Sequence, residues 1–179
     1  QYITVPLANR GQFDKICDIS IKSDVDWSSQ ILGKLTHYKK KAPFYKETTT
    51  FVRDCFDTDE TNISRFVTEV LKKTADYMCI DTKIDVQSDL QLSIGDIEHP
   101  GQWALKISEA LGASKYINPL GGLEIFRPDE FAASGIELSF LRADLKPYPQ
   151  KRNGFVPELS IIDVMMWNSF ASIRKMLDD

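Results

Sequence analysis

The sequence predicts an α/β fold: a mostly parallel sheet with flanking helices, the C-terminal helices packed on the sheet. Three observations carry that expectation. Between residues 115 and 141 the chain runs strand, double-glycine turn, short helix and strand, and a helical connection between two strands is what a parallel pair requires. Between Asn62 and Met78, Ile63, Phe66, Val67, Val70, Leu71, Ala75 and Met78 recur at three and four residues, the period of an amphipathic helix. Finally, 179 residues with 42% hydrophobic content suffice for one domain with a real core and are too few for two ordinary ones.

Taken in order, Tyr2-Ile3-Thr4-Val5-Pro6-Leu7 reads as a strand already under way, and Ile16 to Ile21 alternates like a half-buried strand. Asp24 or Asp26 caps a helix from Trp27, because a short acidic side chain accepts a bond from a free N–H of the first turn. Trp27, Ile31, Leu35 and Tyr38 share one face of it before Pro43. A less regular helix follows, with Phe44, Phe51 and Phe56 as core candidates and the run Thr48-Thr49-Thr50 opposing it, since β-branched residues lose rotamer freedom in helices. The Asn62 to Met78 helix, its stripe directed at the core, precedes a short strand at Lys83 to Val86 and a long polar loop from Asp89 to Pro100. A helix from Gly101 to Leu111 is expected to turn Trp103, Ile107 and Leu111 inward and to end at Gly112. The strand at Lys115 to Asn118, a short helix over Asp129 to Ala133 and the strand Ile136 to Leu141 form the crossover. Beyond Pro147 to Gly154, helices close the chain from Ser160 to Trp167 and from Ser169 to Leu177.

Twenty-two basic against 26 acidic residues give a net charge of −4, without the surplus that would neutralise a phosphate backbone, so nucleic-acid binding is not expected. Lys39-Lys40-Lys41 reads as a solvated helix end, where cations meet the negative pole of the dipole. No apolar run approaches the roughly 18 to 20 residues of a bilayer span, so no transmembrane segment is expected. Cys17, Cys55 and Cys79 are too widely spaced for a metal knuckle and odd in number, which points to buried free thiols in a reducing, cytoplasmic setting. His37 and His99 form no ligand pair, and no metal site is expected. Gln1 in place of a methionine, with a strand under way behind it, leads us to expect a single domain truncated at its N-terminus.

Several residues bear on chemistry. Asn118-Pro119-Leu120-Gly121-Gly122 sits at the carboxyl end of a strand, where open α/β sheets bind ligands, and Gly121 and Gly122 let backbone approach a phosphate or sugar; the plainer alternative is a tight turn needing positive φ. Ser160 with Asp163 three residues on resembles a capping box. The alternative is that Asp163, among Ile161, Ile162, Val164, Met165 and Trp167, points into a pocket as acid, base or amine anchor. Asn168 and Gln150 suit a sugar hydroxyl or the tying of a loop, and Tyr116, Tyr148 and Trp167 offer ring faces for stacking or for the core. His99 is the histidine better placed for proton transfer, with no partner visible in sequence, while His37 reads as a dipole-compensating surface residue. Neither a GxSxG elbow nor a basic neighbour for a cysteine thiol, Arg53 near Cys55 excepted, points to nucleophilic catalysis.

The stretch from Leu111 to Gly122, then Phe131, Gly135-Ile136-Glu137-Leu138 and Leu159 to Ser169, resembles the WbqC-like protein family in order and spacing. Tyr2 to Leu7, the Trp27 helix ending in Lys41-Ala42-Pro43-Phe44-Tyr45, and Tyr148-Pro149-Gln150 agree with it. The resemblance implies a role near lipopolysaccharide O-antigen or related surface-glycan synthesis. It also implies an aromatic- and proline-rich segment ahead of Gln1, and Phe126-Arg127 departs from the family's tyrosine followed by a polar residue. With the residues above it leads to two expectations. One is a transferase-like enzyme acting on a nucleotide-activated or lipid-linked amino sugar held between the Asn118 to Gly122 turn and the Ser160 helix start. In it Asp163 is catalytic, and Asn118, Gly121, Gly122, Tyr148, Gln150, Ser160 and Asn168 bind substrate. The other is a non-catalytic scaffold for a glycosyltransferase, using the Asp89 to Pro100 loop. The cofactor is not legible in the sequence.

Overall fold

The computed structural model of the chain describes residues 2–8, 10–151 and 154–178. Gln1, and Arg152 and Asn153 of the stretch expected to lead into the closing helices, lie outside the described residues. The chain forms two compact units, Gln1–Ile84 with Leu145–Asp179, and Asp85–Asp144.

The first unit is helical. Asp26 caps α1 (Trp27–Leu35) by accepting from the Ser29 N–H at 3.0 Å. Ile31 and Leu35 are buried on its inner face, and Tyr38, buried in the short 3₁₀ turn that follows, extends that face. α2 (Tyr45–Phe56) keeps its threonines in the helix: the Thr49 hydroxyl donates to the Tyr45 carbonyl at 2.8 Å, and Thr48 and Thr49 are buried. That bond gives a β-branched hydroxyl a partner within the helix itself, which offsets the propensity that opposed it. α3 (Ile63–Tyr77) begins where Asn62 accepts from the Arg65 N–H at 3.1 Å and donates from its own amide to the Cys17 carbonyl at 2.6 Å. Because Asn62 both caps a helix and fastens an irregular segment, Asn62→Ala is expected to cost about 1–2 kcal/mol in a chemical-denaturation measurement.

The apolar stripe of α3 is core in part: Met78 is buried, and Ile63, Val70 and Ala75 are half-buried. Phe66 alone on this helix is fully buried, its ring 5.4 Å from Trp27, whereas Leu71 is 53% exposed and Val67 is exposed as well. α6 (Ile161–Trp167) and α7 (Phe170–Asp178) close the unit. Met166 and Trp167 of α6 join Leu35, Tyr38, Ala42 and Val52 in one core cluster, and Met165 with Ile173 of α7 joins Met78 in a second. The C-terminal helices, expected on a sheet, belong to this helical unit, where α6 meets α1 and α2.

The two strands expected early in the chain shrink to single antiparallel bridges, Leu7 with Ile21 and Ser20 with Asn62. Pro6 has no N–H to give a ladder, and Ile16–Asp18 turns into a 3₁₀ helix before pairing can extend. Lys83 to Val86 is irregular.

The second unit holds the crossover. α4 (Gln102–Ala110) leads through Gly112, at φ +64°, into β1 (Lys115–Pro119); α5 (Pro128–Ala133) and Gly135, at φ +70°, lead into β2 (Glu137–Leu141). Positive φ is where an L side chain meets its own carbonyl, so glycine ends both helices. β1 and β2 are parallel, with Lys115 opposite Glu137 and Pro119 opposite Leu141. The expected mostly parallel sheet is therefore corrected to this one two-stranded sheet among the described residues of a mixed helix and strand fold. Leu105 of α4, Phe131 of α5 and Ile136 form the buried core, with Tyr116, Phe126 and Leu138 packed against it. The inward set read for α4 is corrected too: Trp103 is 50% exposed and Leu111 is exposed, while Leu105 and Ser108 are buried.

The thiols differ from one another. Cys55 is buried, and burial pushes its pKa up, with Lys73 only partly opposing; Cys17 is half-buried and Cys79 exposed. The expectation of three buried thiols is thus corrected. Timed alkylation of the folded protein, read by mass spectrometry, is expected to label Cys79 first and Cys55 last.

A candidate site around Asp163

Ser160 starts α6: its hydroxyl accepts from the Ile162 N–H at 3.3 Å, and its carbonyl accepts from the Asp163 N–H at 2.8 Å. The Asp163 carboxylate turns inward, toward side chains of other segments. It is 3% exposed. The Tyr38 hydroxyl donates to Oδ1, and the Tyr148 hydroxyl and the Gln150 amide donate to Oδ2 at 2.8 and 2.9 Å. Three donors converging on one buried carboxylate supply the bonds that water would otherwise give it.

Gln150 is itself buried and fully engaged. Besides Asp163, its amide nitrogen donates to the Val156 carbonyl at 3.0 Å, and its oxygen accepts from the Val156 N–H at 2.9 Å. This side chain fastens one segment to another. Asn168, at the end of α6, donates to the Val164 carbonyl at 2.9 Å, within its own helix. Tyr148 sits edge-on to Phe155, and Trp167 is a core residue whose indole N–H has no partner among the described residues.

A hollow of about 500 Å³ opens in this unit, walled by Tyr38, Ser160, Ile162 and Asp163 and, on α1 and its C-terminal end, by Lys34 and His37. Such a volume falls in the range of small-molecule sites. The Lys34 ammonium donates to the Tyr2 carbonyl at 3.1 Å, and the His37 ring rests on Tyr38 with centroids 4.0 Å apart. Sequence reasoning placed Tyr38 on an apolar helix face and His37 on the surface. No local signal marks them as neighbours of a carboxylate 125 residues further on, because the Tyr38 to Asp163 bond exists only once α6 docks.

Asn118, Gly121 and Gly122 belong to the second unit, whereas every residue that lines this hollow belongs to the first. The Asn118 side chain accepts from the Tyr116 hydroxyl at 2.9 Å and donates to the Pro119 carbonyl at 2.8 Å. Burial raises the Tyr116 phenol pKa, so its contribution to stability is present below the ordinary phenol range and is lost as pH climbs beyond it. The positive φ considered for the double glycine is absent: residues 120–122 form a 3₁₀ turn, and Gly121 and Gly122 are not among the positive-φ residues. Gly122 is required by space, since a Cβ there would overlap the Asn118 amide nitrogen and stand 2.9 Å from Phe126. Gly122→Ala is expected to cost about 1–3 kcal/mol in urea unfolding, as overpacking does.

Also in the second unit, His99 has the partner that sequence did not reveal: its Nε2 lies 2.9 Å from Glu130, which Arg127 also approaches at 3.2 Å. The pair joins the end of the Asp89 to Pro100 loop to α5.

Among the described residues no helix is long and apolar enough to cross a membrane, and no three His, Cys, Asp or Glu side chains gather as metal ligands. The geometry defines a mixed α/β protein whose helical unit walls a small-molecule-sized hollow with a buried carboxylate that accepts from Tyr38, Tyr148 and Gln150. The chain belongs to the WbqC-like protein family, whose model matches residues 1–175. No curated protein and no solved structure matches it.

Proposed function

We propose that this chain handles a nucleotide-activated or lipid-linked sugar in bacterial surface-glycan synthesis, with the sugar in the Tyr38–Asp163 hollow and group transfer as the chemistry. The observation that carries the reading is Asp163: a carboxylate this deeply buried, set by three side chains into the wall of a cavity of ligand size. A buried carboxylate in the wall of a pocket with convergent polar groups is the arrangement that marks a candidate binding site. The association of WbqC-like proteins with O-antigen genes supports the sugar class, and Ser160, Lys34 and His37 supply the polar contacts that hydroxyls and phosphates use. In this reading Asp163 orders the wall, and Tyr148 and Gln150 act through it. Asn118, Gly121 and Gly122, on the second unit, are the other substrate-binding candidates of this reading.

A thermal-shift titration with nucleotide sugars tests this. A ligand at about a hundredfold excess over its Kd adds ~2.7 kcal/mol, which for a chain of this size raises Tm by roughly 5–10 °C. Lys34→Ala, at an exposed position, is expected to abolish most of that shift without lowering the ligand-free Tm. No shift with any nucleotide sugar or lipid-linked sugar analogue removes the reading.

A second reading, a non-catalytic partner of a glycosyltransferase, is favoured by apolar side chains of the second unit that face solvent, Ile117, Leu123, Ile125 and Leu141, the last 64% exposed. The loop first considered for this role keeps Leu90, Leu92 and Ile94 half-buried. Co-purification with a glycosyltransferase that is lost on Leu141→Lys, with sugar binding absent, distinguishes this reading from the first.

A further inference from the structure

The hollow contains a histidine whose proton is placed by the backbone. His37 Nδ1 lies 2.7 Å from the Lys34 carbonyl oxygen. A carbonyl only accepts, so Nδ1 carries the hydrogen, and in the neutral ring Nε2 is left as a lone-pair acceptor. The ring is held from a second direction by the Tyr38 ring, tilted 38° to it, and Tyr38 is in turn tied to Asp163. Position and tautomer are therefore both set before any ligand arrives.

Two other polar groups of the wall, Ser160 and Lys34, can donate, while the Asp163 carboxylate is engaged by donors of its own. Ser160 Oγ accepts the Ile162 N–H and retains its own proton to donate, and the Lys34 ammonium has three hydrogens, one of which goes to the Tyr2 carbonyl. Tyr38 lends its proton to Asp163. With His37 Nε2 as an acceptor and Ser160 and Lys34 as donors, the wall of this hollow of about 500 Å³ offers both senses of bond that a polyol phosphate uses: a hydroxyl that donates, beside oxygens that accept.

We infer that His37 is a ligand-binding residue of this hollow, its Nε2 accepting a hydrogen bond from a hydroxyl of a phosphorylated sugar whose phosphate lies toward Lys34. The inference rests on the sugar reading above and adds the residue and the sense of the contact. It differs from the helix-dipole role, which any cation at the end of α1 would fill.

The test uses the full chain with UDP-N-acetylglucosamine as probe. Asparagine at position 37 keeps an amide N–H where Nδ1 stands, and so the bond to Lys34, and removes only Nε2. His37→Asn is expected to retain the wild-type Tm and to bind the probe at least about tenfold more weakly by calorimetry, the loss of one good hydrogen bond. Nitrogen-15 spectra of the His37 ring are expected to show the Nδ1–H form. Equal binding by wild type and His37→Asn leaves the sugar reading standing and overturns the role of His37, as does an Nε2–H ring. A wild type that binds no probe overturns this inference, and the sugar reading falls with it only when the wider titration with nucleotide and lipid-linked sugars also shows no shift.

Discussion

Asp163→Ala is expected to destabilise the protein by about 3–5 kcal/mol, measured as a lower urea midpoint at unchanged m-value. The carboxylate accepts from Tyr38, Tyr148 and Gln150 at a site almost wholly shut off from water. Removing it leaves three donors facing a void, and each buried donor without an acceptor costs about 1–3 kcal/mol, less than additively because neighbours relax. Asp163→Asn keeps the volume but sets an NH₂ group against donors, so it too is expected to lower stability, by about 2 kcal/mol. A loss of function in that variant therefore counts only beside a melting curve. Tyr148→Phe removes a single donor and is expected to cost about 1 kcal/mol; a cycle with Asp163→Ala then isolates the pair. A cost below about 1 kcal/mol for Asp163→Ala would contradict the convergent cluster.

Phe131→Ala is expected to cost about 3–5 kcal/mol and to act on the second unit. Phe131 is 1% exposed, packed with Leu105 and Ile136, with the Tyr116 ring stacked at 5.7 Å and Phe126 edge-on at 5.9 Å. A two-stranded parallel pair has little stability of its own, so the aromatic core beneath it holds the strands together. Hydrogen exchange is the sensitive measurement. Amides of β1 and β2 are expected to exchange faster by orders of magnitude, while those of α1 and α2 change far less. Uniform acceleration across the chain would show instead that the units unfold as one.

What sequence revealed followed from local chemistry. Asp26, Asn62 and Ser160 cap helices because their short side chains reach backbone N–H groups within three residues, and Gly112 ends α4 because the chain must turn left there. The parallel pair was legible because a helix between two strands has few other solutions. The remainder depends on distant neighbours. The Ile16 to Ile21 alternation has the pattern of a strand, yet it finds partners only for single bridges, and Val67 and Leu71 share the core period of α3 yet stand exposed. Asp163 could be suspected from its apolar surroundings. Its donors could not, since Tyr38 lies 125 residues away and looks like one more ring on a helix face. Likewise His99 and Glu130, 31 residues apart, have no spacing rule to join them.

The two units also differ in how the chain visits them. Asp85–Asp144 is continuous, whereas the other unit is assembled from Gln1–Ile84 and a tail that begins at Leu145. During synthesis the β1–α5–β2 segment has all its own partners soon after Asp144 leaves the ribosome. The earlier helices must wait: Tyr38 has no carboxylate to meet, and Leu35 and Val52 lack Met166 and Trp167, until the last helices emerge. A chain cut short after Asp144 would thus present a finished insert on an unfinished host, with the apolar faces of α1 and α2 open to chaperones and proteases.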